Sequence, residues 1–291
     1  MDSPIYDRPL LSVIIPISDN ARNTKKLLSF VKKIASDTEV IVVFQGVSSR
    51  AAMLSLDLGA QVIPIGIETN CNEARAIGSA HARGDIVLFM DERLEMPLLY
   101  LKKYVTQVKK GSDVVITTCT KPFVSKKGER SPRSAYCLLN HLLGQKSMGS
   151  ASFENTPFAL SRNALDSIGS ENFSNPAIAL VQASALGLKM TKIVPLATRK
   201  QTTGASDNIP KDTRTIYHEH AKAIQLLTNG TTQRGADQDG KRHRALVEVT
   251  DVLHLRSVIH LESRVKEGGG WGAKRKTKYS RTRKKTQRRS H

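Results

Sequence analysis

LSVIIPISDNARNTKKLLSFVKKIASDTEVIVVF, residues 11–44, decides the fold class. Its first run, from Leu11 to Pro16, is apolar and β-branched without alternation, the pattern of a strand buried on both faces. Leu27, Leu28, Val31 and Ile34 then recur at helical spacing within residues 21–35. Residues 39–44 return to a β-branched run. A strand, a helix and a second strand make a βαβ unit, and such units build parallel sheets.

The alternation continues outward. A helix is expected at 48–58, closed by Gly59, then a strand at 61–65, a helix at 72–83 and a strand at 85–90. Pro97 opens the next helix, to about residue 110, in the first-turn position that proline favours, and a fifth strand follows at 113–118. Residues 121–133 are polar and basic with two prolines and read as a loop. Further helices are expected at 134–143, 175–186, 211–228 and 242–265, with strands at 158–160 and 189–196 and loops at 198–210 and 231–241. The fold class is α/β: an open, mostly parallel sheet with helices on both faces and a helical C-terminal segment.

At 291 residues the chain is long enough to bury a large core without a metal or disulfide staple. Its apolar runs fall far short of the ~20 residues that cross a bilayer. The opening residues, with Asp2 and Asp7 around Pro4 and Pro9, do not read as a signal peptide. Cys71, Cys119 and Cys137 have no Cys-x-x-Cys spacing, which argues against a disulfide framework and a cysteine zinc site. A cytoplasmic location is expected.

The net charge of +19 is unevenly placed. Ten lysines and arginines, and no acid, fall in residues 268–291, after Gly268-Gly269-Gly270. This stretch has no apolar periodicity and reads as a disordered tail suited to an anionic membrane surface, an anionic polymer or nucleic acid. Trp271 within it is an interfacial or stacking anchor, or simply a tail aromatic.

In open parallel sheets ligands bind beyond the carboxyl ends of the strands. Those ends fall here at residues 16–20, 44–48, 65–70 and 91–95. The first βα junction, Pro-Ile-Ser-Asp-Asn, carries no glycine-rich dinucleotide or P-loop sequence. His218 and His220, and Arg242 and Arg244 around His243, are two apart, which does not suit two ligands on one helical face. His254 and His260, in the helix expected at 242–265, read as surface or satisfied histidines.

Taken in order, LSVIIPISDN (11–20), EVIVVFQG (39–46), EARAIGSAHARGDIVLFMDE (73–92) and Pro97 resemble the N-terminal half of the family 2 nucleotide-sugar glycosyltransferases, which have the GT-A fold. FALSRNALDSIG (158–169) is the best match to the family's later, acceptor-side segment. The resemblance implies a nucleotide-sugar-binding half at 1–120, an acceptor-side half with C-terminal helices at 121–267, and the tail. It implies a nucleoside diphosphate-sugar, UDP-linked, at the strand ends, and displacement at the anomeric carbon with inversion, onto an unknown acceptor.

The resemblance places Pro16, Asp19, Gln45, Arg75, Asp91 and Arg93 at the donor. Asp19, with Asn20 beside it, is equally an N-cap for the following helix. Gln45 stands where the family has part of an Asp-Asp pair, and its amide both donates and accepts. Arg75 reaches a phosphate or pairs with an acid. The family's Asp-x-Asp, which holds Mn²⁺ or Mg²⁺ on the diphosphate, reads Asp91-Glu92-Arg93 here. Asp91 and Glu92 are the candidate metal ligands, with Glu95 as a further oxygen donor. Arg93 removes one carboxylate and itself offers a bidentate phosphate contact. The alternative reading of Asp91-Glu92-Arg93 is a solvated turn.

The family's acidic pair at the head of a later helix is missing, since residues 175–186 contain no acid. Asp166 and Glu171 are the nearest candidates for a catalytic base, but Asp166 reads first as a helix-surface residue and Glu171 as a loop residue. Three functions therefore stand side by side. The chain is an active glycosyltransferase, a catalytically silent glycosyltransferase-like binding or surface-assembly protein, or a nucleic-acid-binding protein acting through its tail.

Overall fold

The computed structural model describes residues 8–18, 24–46, 50–92, 96–120, 131–195 and 213–228. The loops expected at 121–133 (up to residue 130), 198–210 and 231–241, the helix at 242–265 and the tail at 268–291 lie outside them.

The first half runs β1 (Leu11–Ser18), α1 (Thr24–Val31), β2 (Thr38–Gln45), α2 (Arg50–Asp57), β3 (Gln61–Ile65), α3 (Cys71–His81), β4 (Ile86–Phe89), α4 (Leu98–Lys109) and β5 (Val114–Thr117). It continues as α5 (Arg133–Leu142), β6 (Phe158–Ser161), α6 (Arg162–Ile168), α7 (Pro176–Ala185), β7 (Met190–Ile193) and α8 (Thr213–Thr228). Short 3₁₀ turns occupy Lys146–Met148 and Ser170–Ser174.

The seven strands form one sheet in the order β3-β2-β1-β4-β6-β5-β7. β1, β2, β3 and β4 are mutually parallel, as are β5 and β7. β6 runs against both of its neighbours, β4 and β5. Alternate residues of β1 feed two cores, as a strand covered on both faces must. Leu11, Val13 and Ile15 pack with Leu27, Leu28, Val31, Leu101 and Tyr104 of α1 and α4. Ile14 joins Ala74, Leu139, Leu165 and Leu180 on the other face.

Four of the seven phenylalanines gather at one place in that second core. Phe89 stacks on Phe158 at 4.4 Å between ring centroids and on Phe173 at 5.3 Å, and Phe153 meets Phe158 edge-on at 5.0 Å. They join the end of β4 to the start of β6.

The far edge, where β1, β2 and β4 begin, is tied by one carboxylate. Glu39 accepts from Ser12 Oγ, from the Arg83 amide at 2.6 Å and from the Gly84 amide at 3.2 Å. It also pairs with the Arg83 guanidinium at 3.1 Å.

Several expectations shift. Pro97 sits at the N-cap, one place before the first helical residue, where its fixed φ and absent N–H are equally tolerated. α1 stops at Val31, because the Lys33 and Ile34 amides bond back three residues, to Phe30 and Val31, and tighten the last turn. β1 continues two residues past Pro16, to Ser18. The Met90 amide bonds the Ile14 carbonyl, and β4 turns away there, so Pro16, two residues on, forfeits no bond on that side. α6 gives bounds to the helix on which Asp166 was expected: Ser161 caps it by accepting from the Ala164 amide and Gly169 ends it at φ 86°.

Candidate functional site

The chain builds β1, β2 and β3 outward, then returns to place β4 on the other side of β1. That reversal opens a crevice beyond the carboxyl ends of β1 and β4. Because β6 is antiparallel and Phe158 pairs with Phe89, the residues just before β6 emerge at this same edge.

Glu92 closes the floor of the crevice. Its carboxylate accepts from the Ser18 amide at 2.8 Å and from Ser18 Oγ at 3.0 Å, tying the ends of β4 and β1 together. Asp91, beside it, is half-buried. Both oxygens of Glu92 are engaged by Ser18. Among the described residues no group of three or more His, Cys, Asp or Glu side chains is placed to hold a metal ion. Asp19, Asn20, Arg93 and Glu95 lie outside the described residues.

Gln45, at the end of β2, gives both amide hydrogens to the next turn. Nε2 donates to the Ile67 carbonyl at 2.8 Å and to the Thr69 carbonyl at 2.5 Å. This fixes the amide orientation and leaves Oε1 as its hydrogen-bonding pole.

α3 begins at the same edge, behind a capping box. Asn70 Oδ1 accepts from the Asn72 and Glu73 amides at 2.9 and 3.0 Å, and Glu73 Oε2 accepts from the Asn70 amide at 3.1 Å. Arg75 lies one turn in and is 5% exposed. Nη1 donates to Asn72 Oδ1 at 2.8 Å, and the guanidinium carbon lies 5.9 Å from the centre of the Phe158 ring. Nε is buried with no acceptor, and no described carboxylate forms an ion pair with this guanidinium.

Cys71, on the first turn of α3, senses the whole charge arrangement. Burial pushes its thiol up; Arg75 pulls it back, and the carboxylates of Asp91, Glu154 and Glu92 push it up further. An arginine and three acids thus all act on this one thiol at the crevice end of α3.

The two carboxylates proposed as a base from the sequence are not in that group. Asp166 is on α6, and its side chain is 60% exposed and paired with Arg162 at 3.4 Å. Arg162 in turn donates to the Ala82 and Gly84 carbonyls, at the opposite edge of the sheet. Glu171 is exposed, with its carboxylate folded against Gly169. Asn175 and Pro176, at the head of α7, are the N-cap and first helical residue and carry no charge.

Glu154 is the residue that sequence reasoning missed. It lies on the turn entering β6, at the crevice edge, within electrostatic range of Cys71 on α3 and Tyr136 on α5. Its stretch, SFENTP (152–157), carries no motif that singles it out. His220 was read as no ligand, and it is buried against Tyr136, with Nδ1 facing the Ile216 carbonyl at 2.8 Å.

The family model described as "Glycosyl transferase family 2" matches residues 12–169. The undecaprenyl-phosphate 4-deoxy-4-formamido-L-arabinose transferase of Pseudomonas fluorescens is 29% identical over 122 residues, 38% of this chain and 36% of that protein. The chain thus spans about a third of the length of the curated relative it matches. Glucosyl-3-phosphoglycerate synthase from Mycobacterium tuberculosis has a similar structure. Its complex with Mn²⁺, UDP and glucosyl-3-phosphoglycerate has a TM-score of 0.52 at 18% identity, covering 76% of this chain and 79% of that one. Its complex with Mg²⁺ and UDP has a TM-score of 0.53 at 17% identity, covering 75% and 80%. At these identities the likeness is one of fold.

Proposed function

The chain belongs to glycosyl transferase family 2, and from that premise we propose that it moves a sugar from a nucleoside diphosphate-sugar to an acceptor hydroxyl, with inversion at the anomeric carbon. Arg75 carries this reading. A buried guanidinium without a carboxylate partner costs on the order of several kcal/mol, and the cost is offset when an anion arrives. Arg75 stands within the crevice group with an orphaned Nε, so a diphosphate supplies what the fold leaves out.

Gln45 supports a UDP-linked donor. With both amide hydrogens committed, Oε1 accepts from a base edge that donates, as N3–H of uracil does. The solved relatives bind UDP.

Those relatives also carry Mn²⁺ or Mg²⁺. The described residues here do not fit such an ion: Glu92 is engaged with Ser18, and Asp91 belongs to no group of three described ligands. No step is assigned to a metal. Arg93, in the sequence position of the second Asp-x-Asp carboxylate, supplies positive charge instead. UDP affinity measured by calorimetry in EDTA is expected to lie within about threefold of that in Mn²⁺. Arg93→Asp makes binding metal-dependent. A parent protein that binds UDP only with Mn²⁺ overturns the arginine substitution.

The test of the whole reading is a thermal-shift panel of nucleoside diphosphates and their sugars. A UDP compound at about a hundred times its Kd is expected to add ~2.7 kcal/mol of stability, and the other bases less. A flat response to the panel rejects a nucleotide-sugar enzyme. The uncharged head of α7 favours a second reading, a silent relative that keeps the crevice and binds without transfer.

The ten cations of residues 268–291 are proposed to hold the protein to an anionic surface, at about 1 kcal/mol each near a membrane. Truncation after residue 267 is expected to abolish sedimentation with phosphatidylserine vesicles and to leave UDP binding unchanged. Equal sedimentation by both proteins removes the tail from this role.

A further inference from the structure

The head of α7, where the resemblance calls for an acidic pair, offers Asn175 and Pro176. Several described acids near the crevice or in the second half are otherwise placed: Glu92 on Ser18, Glu73 in its capping box, Asp166 at the far edge, Glu171 against Gly169. Asp91 lies two residues beyond the end of β4, on the donor side of the crevice. We propose that Glu154 is the catalytic base of the transfer, taking the proton of the acceptor hydroxyl. This rests on the nucleotide-sugar reading above.

Three observations carry it. The first is position. Phe158 of β6 pairs with Phe89 of β4, so Glu154, four residues before the one, and Asp91, two residues after the other, emerge at the same edge. Glu154 also lies in electrostatic range of Cys71 on the donor side and of Tyr136 on α5, between the two halves of the chain.

The second is rigidity. Ser152 is fully buried, and its Oγ accepts from the Glu154 amide at 3.2 Å. The Asn155 amide closes the turn on the Ser152 carbonyl at 3.0 Å, and Ala151 bridges to Thr118 just beyond β5. Asn140 of α5 donates to the Gly149 and Ala151 carbonyls, each at 2.8 Å. Phe153, with no exposure, locks the turn into the phenylalanine cluster. The backbone that carries Glu154 is thus fixed before the substrate arrives.

The third is access. Glu154 is half-exposed between two fixed and buried neighbours, Phe153 and Pro157.

The step balances. The acceptor O–H proton passes to a Glu154 carboxylate oxygen as the acceptor oxygen bonds to the anomeric carbon. The bond from that carbon to the phosphate oxygen breaks, and its electron pair leaves with the diphosphate, beside Arg75.

The test uses the full chain, with calorimetry for UDP and UDP release from UDP-sugars for turnover, water serving as the acceptor. Glu154→Gln is expected to bind UDP within about twofold of the parent and to lose kcat about a hundredfold or more, with KM unchanged. Glu154→Asp keeps the carboxylate one methylene shorter and is expected to retain about a tenth of kcat. Release by Glu154→Gln within about threefold of the parent overturns the assignment. So does a parent that binds UDP and releases none from any UDP-sugar, with water or with a panel of alcohol acceptors. A parent that binds no nucleotide rejects the nucleotide-sugar reading itself.

Discussion

Replacing Arg75 by methionine is expected to weaken UDP binding about a hundredfold, close to 2.8 kcal/mol, and to leave the thermal midpoint unchanged or higher. The two halves of this expectation share one cause. Without ligand, Arg75 is a buried charge with one side-chain bond, to Asn72, one aromatic face, on Phe158, and a nitrogen that bonds nothing. Methionine keeps the unbranched stem, is flexible enough to pack its thioether towards Phe158, and carries no charge to desolvate. The apo protein therefore gains from the change, although the Asn72 carbonyl loses its partner. With ligand the balance reverses, because a guanidinium bonds phosphate through charge-assisted hydrogen bonds that a thioether cannot make. Arg75→Lys, which keeps the charge without the planar fork, is expected to fall between the two. Calorimetry with UDP and a thermal melt on the same samples decide the matter. Methionine at position 75 with unchanged UDP affinity removes the arginine from the site. A large fall in midpoint shows that it serves the core instead.

Gly84→Ala is expected to destabilise the fold by about 3 kcal/mol, with nothing at the crevice disturbed directly. A Cβ at position 84 meets the Ser12 amide nitrogen and Ser12 Oγ, each at 2.6 Å, and the Leu11 carbonyl carbon at 2.9 Å. Two of these are backbone atoms of a central strand paired on both sides, which cannot retreat without breaking the β1 ladders. The same displacement strains the Gly84 amide bond to Ser12 Oγ, 2.7 Å, and the Glu39 junction behind it. Gly78→Ala makes a useful contrast. Its Cβ approaches Ile14 Cγ2 at 2.6 Å and Val43 Cγ2 at 2.9 Å, which are side-chain methyls of buried residues and not backbone atoms. That variant is expected to lose about half as much. Urea melts of both variants check the order; Gly84→Ala within about 1 kcal/mol of the parent shows that residues 11 and 12 yield.

The parallel half of the fold was legible because its strands are apolar on both faces and its helices carry a single stripe. β3 falls on the residues expected from Gln61 to Ile65. β6 was legible as a strand but not in its direction. Phe158, Ala159 and Leu160 are all buried, and a run buried on both faces looks the same read either way along a sheet. Its direction comes from α5 and the 3₁₀ turn at Lys146–Met148, which return the chain to the crevice edge before it enters the sheet.

The site divides in the same manner. Arg75 and Asp91 could be singled out because they stand in a recognisable order with Gly78 and Asp85. What each does depends on partners distant in the chain. Glu92 is taken by Ser18, 74 positions away, and Gln45 by carbonyls 22 and 24 positions on. Glu154 had no local signal, since a glutamate in a polar turn is ordinary until a helix from elsewhere is packed beside it.

The reversed strand also sets an order of events during synthesis. β4 finds its neighbour β1 as soon as residue 89 has been made, but β5 has no partner then, because both of its neighbours, β6 and β7, come later. Val114 waits for Leu160 and Met190. A nascent chain that has left the ribosome as far as residue 150 therefore presents β4 and β5 as two unpaired edges of apolar sequence, Ile86–Phe89 and Val114–Thr117. At the usual elongation rate this window lasts a few seconds, on the order of ten residues being added each second. It narrows when four residues, Phe158–Ser161, slide between β4 and β5, and closes only when β7 covers the other side of β5.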